Sequence, residues 1–220
     1  AFMDALGIAA APMIGNSMGG AISAQVAALR PDLVRTLCLL APAVADFRVR
    51  AYPLIHNPRM AVLVLPGVAV PLIRRGSSRM PPEQIVKGTM KLCYADPRRV
   101  SSTRLEQGIA EARRRASLPW APEALVRSGR GLMAQGTRGG PEFWSRLAAI
   151  SAPTLVVWGD ADRLVSPDLA GPTAAAIPGS RLLRLTDVGH LPMMEDPVTT
   201  ARAVLGLIEE TERQPSAAPA

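Results

Sequence analysis

Four short apolar runs, each with the composition of a buried β-strand, constrain the fold of this 220-residue chain more than any other feature. They occupy residues 11–15, 33–43, 152–159 and 180–186, and segments with helical periodicity separate them. Strands that alternate with helices form a parallel sheet with right-handed crossovers. The sequence therefore predicts an α/β fold, with helices on both faces of a mostly parallel sheet.

The first and last helices of this alternation have recognisable ends. After the first run, Ile22, Val26 and Leu29 recur at helical spacing until Pro31 ends the pattern. Near the other end of the chain, Asp196 is in position to cap a final helix over 196–210. We expect residues 211–220 to form a disordered tail.

Residues 45–145 differ in character from the rest of the chain. Prolines and arginines are frequent there, strand-like runs are absent, and the periodicity predicts helices over 81–94, 99–116 and 122–135. We therefore predict a helical insertion over 45–145, within a core formed by residues 1–44 and 146–210. The apolar run over 60–73 is too short to span a bilayer, and it could form the core of the insertion or line an acyl pocket.

The composition is that of an ordinary globular domain, with 48% apolar and 20% charged residues. The net charge is +7, and the insertion holds 17 Lys and Arg against 7 Asp and Glu. This excess could attract acidic substrates or a membrane surface, or it could be the exposed face of an arginine-rich composition. The few aromatic residues argue against a nucleic-acid partner. Cys38 and Cys93 form no disulfide or metal-ligand pattern, which fits a cytoplasmic protein.

Reactive side chains follow three of the predicted strands. Ser17 follows the first, Asp160 and Asp162 follow the third, and His190 follows the fourth. The carboxyl ends of parallel strands converge at one edge of a sheet. A serine hydroxyl becomes nucleophilic when an imidazole takes its proton, and a carboxylate orients that imidazole. The other histidine, His56, lies in the insertion and is expected to be an ordinary loop or surface residue.

The serine lies in the segment GNSMGG, residues 15–20, which could also be a plain glycine-rich turn. In a sharp strand-to-helix turn, residues two positions from the serine must lack bulk, and Gly15 and Gly19 meet that requirement. The backbone N–H of Met18, at the start of the helix, would then be in position to bind an oxyanion.

The segments GNSMGG, WGDADRLVSP and DVGHLPMMEDP, in this order, resemble the three signature segments of the α/β-hydrolase fold superfamily. The resemblance implies that Ser17 is the nucleophile, His190 the base and Asp162 the acid, with no cofactor and no metal. Asp160 is the alternative acid and a candidate for stabilising its loop, and we expect Asp187 to be exposed. The insertion corresponds to the variable cap of that superfamily.

Within the superfamily, the motifs look most like those of serine esterases and of meta-cleavage hydrolases, which split a carbon–carbon bond. Leu191 replaces the aromatic residue that often follows the histidine in the second group, which favours a small-molecule ester or acyl substrate. A serine nucleophile disfavours haloalkane dehalogenases and epoxide hydrolases. A perhydrolase, an acyltransferase and a non-catalytic binding protein remain alternatives, and no membrane partner is expected.

The sequence begins just before the strand that leads to Ser17, and it contains no HG-type loop to supply a second oxyanion donor. The resemblance therefore implies that earlier strands of the sheet, and the natural N-terminus, are missing. We expect the first strand to have an unpaired edge prone to aggregation. Loss of one oxyanion donor typically costs ~10²–10³ in rate, so this chain alone could be inactive.

Overall fold

The computed structural model of the protein describes residues 2–44, 67–137 and 140–213. Within these residues, four parallel strands form one sheet in the order β1-β2-β3-β4. The strands are β1 (Ala11–Asn16), β2 (Val34–Leu40), β3 (Thr154–Gly159) and β4 (Arg181–Leu185). All four predicted strands are confirmed, as is the α/β class.

Ten α-helices lie in the described part of the chain. They are α1 (Phe2–Ala5), α2 (Met18–Leu29), α3 (Ala69–Arg79), α4 (Pro82–Cys93), α5 (Ser102–Ala116), α6 (Ala121–Thr137), α7 (Gly140–Ala148), α8 (Ala170–Ala176), α9 (Pro192–Glu195) and α10 (Pro197–Arg213). Short 3₁₀ turns occupy Pro31–Leu33, Pro97–Arg99 and Pro167–Leu169. The three helices predicted in the insertion correspond to α4, α5 and α6. None of the described helices combines the length and the apolar character needed to cross a membrane.

Two buried clusters lie on opposite faces of the sheet. In β2, Leu37 and Leu39 belong to a cluster that includes residues of α2, α7 and α8, whereas Cys38 and Leu40 belong to a second cluster with residues of α10. Successive side chains of a strand point to opposite faces, so this alternation places helices on both sides. The prediction of helices on both faces is therefore confirmed.

Helix α2 packs against the sheet through its small residues. Ile22 and Leu29 are 53% and 58% exposed, and the side chains that α2 buries are small. A Cβ added at Gly20 would lie 2.9 Å from the Pro42 Cβ, so the helix runs too close to the end of β2 for large residues on that side. The spacing of Ile22, Val26 and Leu29 correctly predicts the helix, and of these three residues Val26 packs against the buried cluster.

Two predicted boundaries shift in the structure. Helix α7 crosses the expected boundary at 145/146, and its Phe143 and Leu147 are buried in the cluster with α2, so α7 packs with the core. Helix α10 continues to Arg213, which makes the tail prediction wrong for residues 211–213. His56, residues 45–66 and residues 214–220 lie outside the described residues.

Candidate active site

Unusual backbone conformations are concentrated at the carboxyl edge of the sheet. Among the described residues, the non-glycine residues with positive φ are Ser17 (53°), Ala41 (42°) and Asp187 (57°). Ser17 directly follows β1, Ala41 directly follows β2, and Asp187 lies two residues after β4. Such conformations cost ~1–3 kcal/mol each and persist where the surrounding structure enforces them. The edge that should carry the reactive side chains is thus also the strained edge.

Ser17 is held by its backbone, and its hydroxyl makes no capping hydrogen bond. It is the N-cap residue of α2, with φ 53° and ψ −120°. A capping serine normally has β-region torsions and accepts a hydrogen bond from the first turn. Here the Ser17 N–H donates to the Leu40 carbonyl (3.0 Å), and the Ser17 carbonyl accepts from Ala21 (3.1 Å) and Ala43 (2.9 Å). The usual structural reason for a serine at this position is therefore missing.

The glycines around Ser17 have different roles. A Cβ added at Gly15 would lie 2.5 Å from the Gly19 carbonyl carbon and 2.6 Å from Ser23 Oγ, as the steric prediction requires. A Cβ at Gly19 would meet nothing within 4 Å, so the steric prediction is wrong for Gly19. The second position without room for a Cβ is Gly20, because there the first turn of α2 packs against Pro42 and against the Gly15 carbonyl oxygen.

His190 and Asp162 form a buried hydrogen-bonded pair. His190 Nδ1 lies 2.8 Å from Asp162 Oδ2, and the two side chains are 2% and 0% exposed. The other carboxylate oxygen, Oδ1, accepts from the backbone N–H groups of Leu164 (2.8 Å) and Val165 (3.0 Å). A carboxylate can only accept, so the proton of a neutral His190 resides on Nδ1. Two loop N–H groups thus orient Asp162, and Asp162 sets the tautomer of His190.

The second ring nitrogen of His190, Nε2, is buried and has no hydrogen-bond partner among the described residues. An unpaired buried polar atom costs ~1–3 kcal/mol, and native structures seldom retain one without a reason. In the tautomer that Asp162 imposes, Nε2 carries a lone pair, so it is chemically competent as a base.

Asn16 links the serine turn to the histidine loop. Its Nδ2 donates to the carbonyl oxygens of Leu40 (2.9 Å) and His190 (3.1 Å). The residue before Ser17 therefore fixes the backbone of His190 across the carboxyl edge of the sheet. This role is not among the predictions made from the sequence, where its signal is a polar side chain at the end of an apolar strand.

Asp160 and Asp187 stabilise the loops beside the pair. Asp160 Oδ1 accepts from the Asp187 N–H at 2.9 Å, and both residues are exposed. The prediction that Asp160 supports its loop is confirmed, as is the exposure of Asp187. Gly159 allows the end of β3 to lie close to the backbone of Val188, because an added Cβ would lie 2.5 Å from the Val188 carbonyl carbon.

The C-terminal end of α4 also reaches the histidine. The carbonyl of Cys93 accepts from the His190 N–H at 2.7 Å. Burial, reinforced by the negative charges of Asp162 and Glu195, raises the pKa of the Cys93 thiol to about 11, so the thiol is neutral near pH 7.

Among the described residues, no group of three or more His, Cys, Asp and Glu side chains could hold a metal ion. Met18 is the first residue of α2, where a backbone N–H has no acceptor within the helix.

Comparisons with known proteins identify relatives of this chain. The sequence profile of the alpha/beta hydrolase family matches residues 2–203. The dihydrolipoyllysine-residue acetyltransferase component of the acetoin cleaving system of Cupriavidus necator is 30% identical over 194 residues, which cover 88% of this chain and 44% of that protein. A 2-hydroxy-6-oxononadienedioate/2-hydroxy-6-oxononatrienedioate hydrolase of Pseudomonas putida is 29% identical over 211 residues, which cover 94% of this chain and 65% of that protein.

A solved structure is similar over most of the chain. The meta-cleavage product hydrolase of Pseudomonas fluorescens IP01 superposes with a TM-score of 0.69 at 18% identity, and the match covers 95% of this chain and 68% of that one. At this identity the likeness establishes the α/β-hydrolase fold. The chain spans about half to two thirds of the length of the two curated relatives.

Proposed function

Because the chain belongs to the alpha/beta hydrolase family, we propose that it hydrolyses an ester or a related carbonyl substrate through Ser17, His190 and Asp162. One observation carries the proposal: His190 Nδ1 is hydrogen-bonded to a buried carboxylate at 2.8 Å, while Nε2 has no partner among the described residues. This is the arrangement that an imidazole base requires. The strained Ser17, whose hydroxyl makes no capping hydrogen bond, supplies the nucleophile.

The chemistry proceeds by acyl transfer. His190 Nε2 takes the proton of the Ser17 hydroxyl as the serine oxygen attacks the substrate carbonyl. The Met18 N–H donates to the oxyanion that forms. The imidazolium then gives its proton to the leaving alkoxide, and the acyl-enzyme remains. Water, deprotonated by the same imidazole, releases the acid and regenerates Ser17.

The surroundings of Asp162 suit it to stabilise the imidazolium. Two backbone N–H groups donate to Oδ1, which leaves Oδ2 directed at the ring. The buried position strengthens its interaction with a positive charge on the ring, because water screens it little. The positive charge on His190 is thus stabilised at the stage at which the oxyanion forms.

Ester hydrolysis is the first candidate, since Leu191 rather than an aromatic residue follows the histidine. Cleavage of a carbon–carbon bond is the second candidate. It is favoured by the similarity over 94% of this chain to a protein named as a 2-hydroxy-6-oxononadienedioate hydrolase. Both reactions use the same three side chains, so the substrate decides between them.

The nucleophile is tested by reaction with a fluorophosphonate probe, followed by intact mass measurement. The wild type should gain one probe adduct and Ser17→Ala none. Ser145→Ala, which alters an exposed serine of α7, is the matched control and should react like the wild type. An unlabelled wild type, or a labelled Ser17→Ala, would mean that Ser17 is not the nucleophile. A panel of p-nitrophenyl esters and one 2-hydroxy-6-oxo dienoate then separates the two substrate classes.

A further inference from the structure

Glu195 lies where the chain that follows α4 meets the loop that carries His190. It is the last residue of α9, five positions after the histidine. Its Oε1 accepts from the Gly189 N–H at 2.8 Å, and its Oε2 accepts from the Ala95 N–H at 2.8 Å. One carboxylate therefore bridges two segments that are distant in the sequence.

Residues 93–95 and 189–190 contact each other directly through their backbones. The His190 N–H donates to the Cys93 carbonyl at 2.7 Å, next to the bridge made by Glu195. A Cβ added at Gly189 would lie 2.5 Å from the Cys93 carbonyl oxygen, 2.7 Å from the Ala95 nitrogen and 2.8 Å from Glu195 Oε1. The N–H of His190 is thus held by residues 93–95, with Glu195 as the clamp, whereas Asn16 holds the His190 carbonyl.

The bridge requires a carboxylate in particular. Both Glu195 oxygens accept from backbone N–H groups. An ionised carboxylate meets this requirement because both of its oxygens are acceptors. In glutamine, the amide NH₂ would face one of these two donors, so one hydrogen bond would be lost without a change of shape. Hydrogen bonds to a charged acceptor are also stronger than neutral ones.

We propose that Glu195 is a positioning residue for His190, a role that rests on the proposed function. By clamping Gly189 to Ala95, it fixes the backbone from which the His190 ring reaches Asp162. The contacts of Glu195 are made with backbone groups of this chain, so its loss should lower kcat and leave KM nearly unchanged. Small displacements of a catalytic group produce large changes in rate.

The test compares Glu195→Gln with two controls. Glu212→Gln makes the same chemical change at an exposed position of α10. Leu207→Ala removes a buried apolar side chain of α10 that makes none of the clamp's hydrogen bonds, and it lowers stability. For each variant, the rate of fluorophosphonate labelling, kcat and KM on a p-nitrophenyl ester, and the melting temperature are measured. Glu195→Gln should label about tenfold more slowly than the wild type, while Glu212→Gln should label at the wild-type rate.

A spectroscopic measurement reports on the ring without any substrate. The chain has two histidines, so a His56→Gln background leaves one histidine whose Nδ1 proton can be followed by NMR. In that background, the downfield NMR signal of the proton in the His190–Asp162 hydrogen bond should be sharp when residue 195 is glutamate. In Glu195→Gln the signal should be broader, because the proton exchanges faster with water.

The outcomes separate the proposals. Slower labelling with an unchanged KM and a broadened Nδ1 proton supports the positioning role. The role is overturned if Glu195→Gln labels at the wild-type rate, or if its deficit matches that of Leu207→Ala at an equal loss of melting temperature. If the wild type itself does not label, the proposed function fails, and the Nδ1 proton still decides whether Glu195 orients the ring.

Discussion

Replacing Asp162 by asparagine tests the proposed acid without changing the shape of the site. The substitution exchanges one carboxylate oxygen for an NH₂ group, and the structure determines which one. Oδ1 accepts from two backbone N–H groups, those of Leu164 and Val165. An NH₂ group at that position would face two donors, so the amide oxygen should remain there. The NH₂ then occupies the Oδ2 position, 2.8 Å from His190 Nδ1.

This exchange should reverse the tautomer of His190. An NH₂ group donates, so Nδ1 must accept and the ring proton moves to Nε2. A protonated Nε2 cannot take the proton of Ser17. The equivalent change in a chymotrypsin-type triad lowers kcat by ~10⁴, which corresponds to about 5 kcal/mol of transition-state stabilisation. The three hydrogen bonds at residue 162 persist in the variant, so we expect the melting temperature to change little.

The assay is the rate of fluorophosphonate labelling and of p-nitrophenyl ester hydrolysis at pH 7 to 8. Asp160→Asn is the matched control, because Asp160 Oδ1 accepts one backbone N–H and an amide oxygen can do the same. Asp160→Asn should stay within about twofold of the wild type, as expected for a surface substitution that keeps its hydrogen bond. Asp162 is not the residue that sets the His190 tautomer if Asp162→Asn retains more than a tenth of wild-type activity, or if Asp160→Asn shows the larger loss.

Four further predictions concern stability and the thiols. Gly15→Ala should lower the free energy of unfolding by ~1–3 kcal/mol, because the added Cβ collides with the backbone of Gly19. Gly19→Ala should be neutral or stabilising, because an added Cβ there meets no atom within 4 Å. Urea unfolding that ranks the two variants the other way would contradict this prediction. Leu37→Ala, at a fully buried position, should cost ~2–5 kcal/mol in the same assay. Burial raises the pKa of Cys38 and Cys93 to about 11, so a disulfide reagent at pH 8 should react rapidly only after unfolding. Since the folded thiols hold their protons more tightly than unfolded ones, with a pKa of ~8.5, the free energy of unfolding should fall as the pH rises from about 9 to 11.

The sheet and the His190–Asp162 pair could be predicted because both depend on local patterns. Strands such as β3 are short apolar runs, and helices between them force a parallel order. Parallel strands bring their carboxyl ends together, so residues that follow β3 and β4 meet regardless of the intervening sequence. The motif WGDADRLVSP also distinguishes Asp162 from Asp160, and their hydrogen bonds differ accordingly.

The remaining features depend on contacts that no local pattern encodes. Glu195 becomes a clamp because residues 93–95 pass beside Gly189, and a helical periodicity does not determine where its helix lies. Asn16 reads as a variable position of the serine motif, although its side chain bonds the His190 carbonyl. For α2, the apolar spacing predicts the helix but not its buried face, which the close approach of Gly20 to Pro42 restricts to small residues.

The conformation of Ser17 leads to a last prediction, in which stability and activity move in opposite directions. A φ of 53° with a ψ of −120° is strained for any residue with a Cβ and unstrained for glycine. Ser17→Gly and Ser17→Ala both remove the hydroxyl, so both should abolish labelling by the fluorophosphonate probe. They differ in the Cβ atom alone. At an unstrained position, glycine is less stable than alanine by ~0.5–1 kcal/mol, because the unfolded chain gains freedom. At Ser17 the relief of ~1–3 kcal/mol of strain should exceed that loss, so Ser17→Gly should unfold at higher urea concentration than Ser17→Ala. The opposite order would mean that the turn holds no strain, and that the serine is not kept there at the expense of stability.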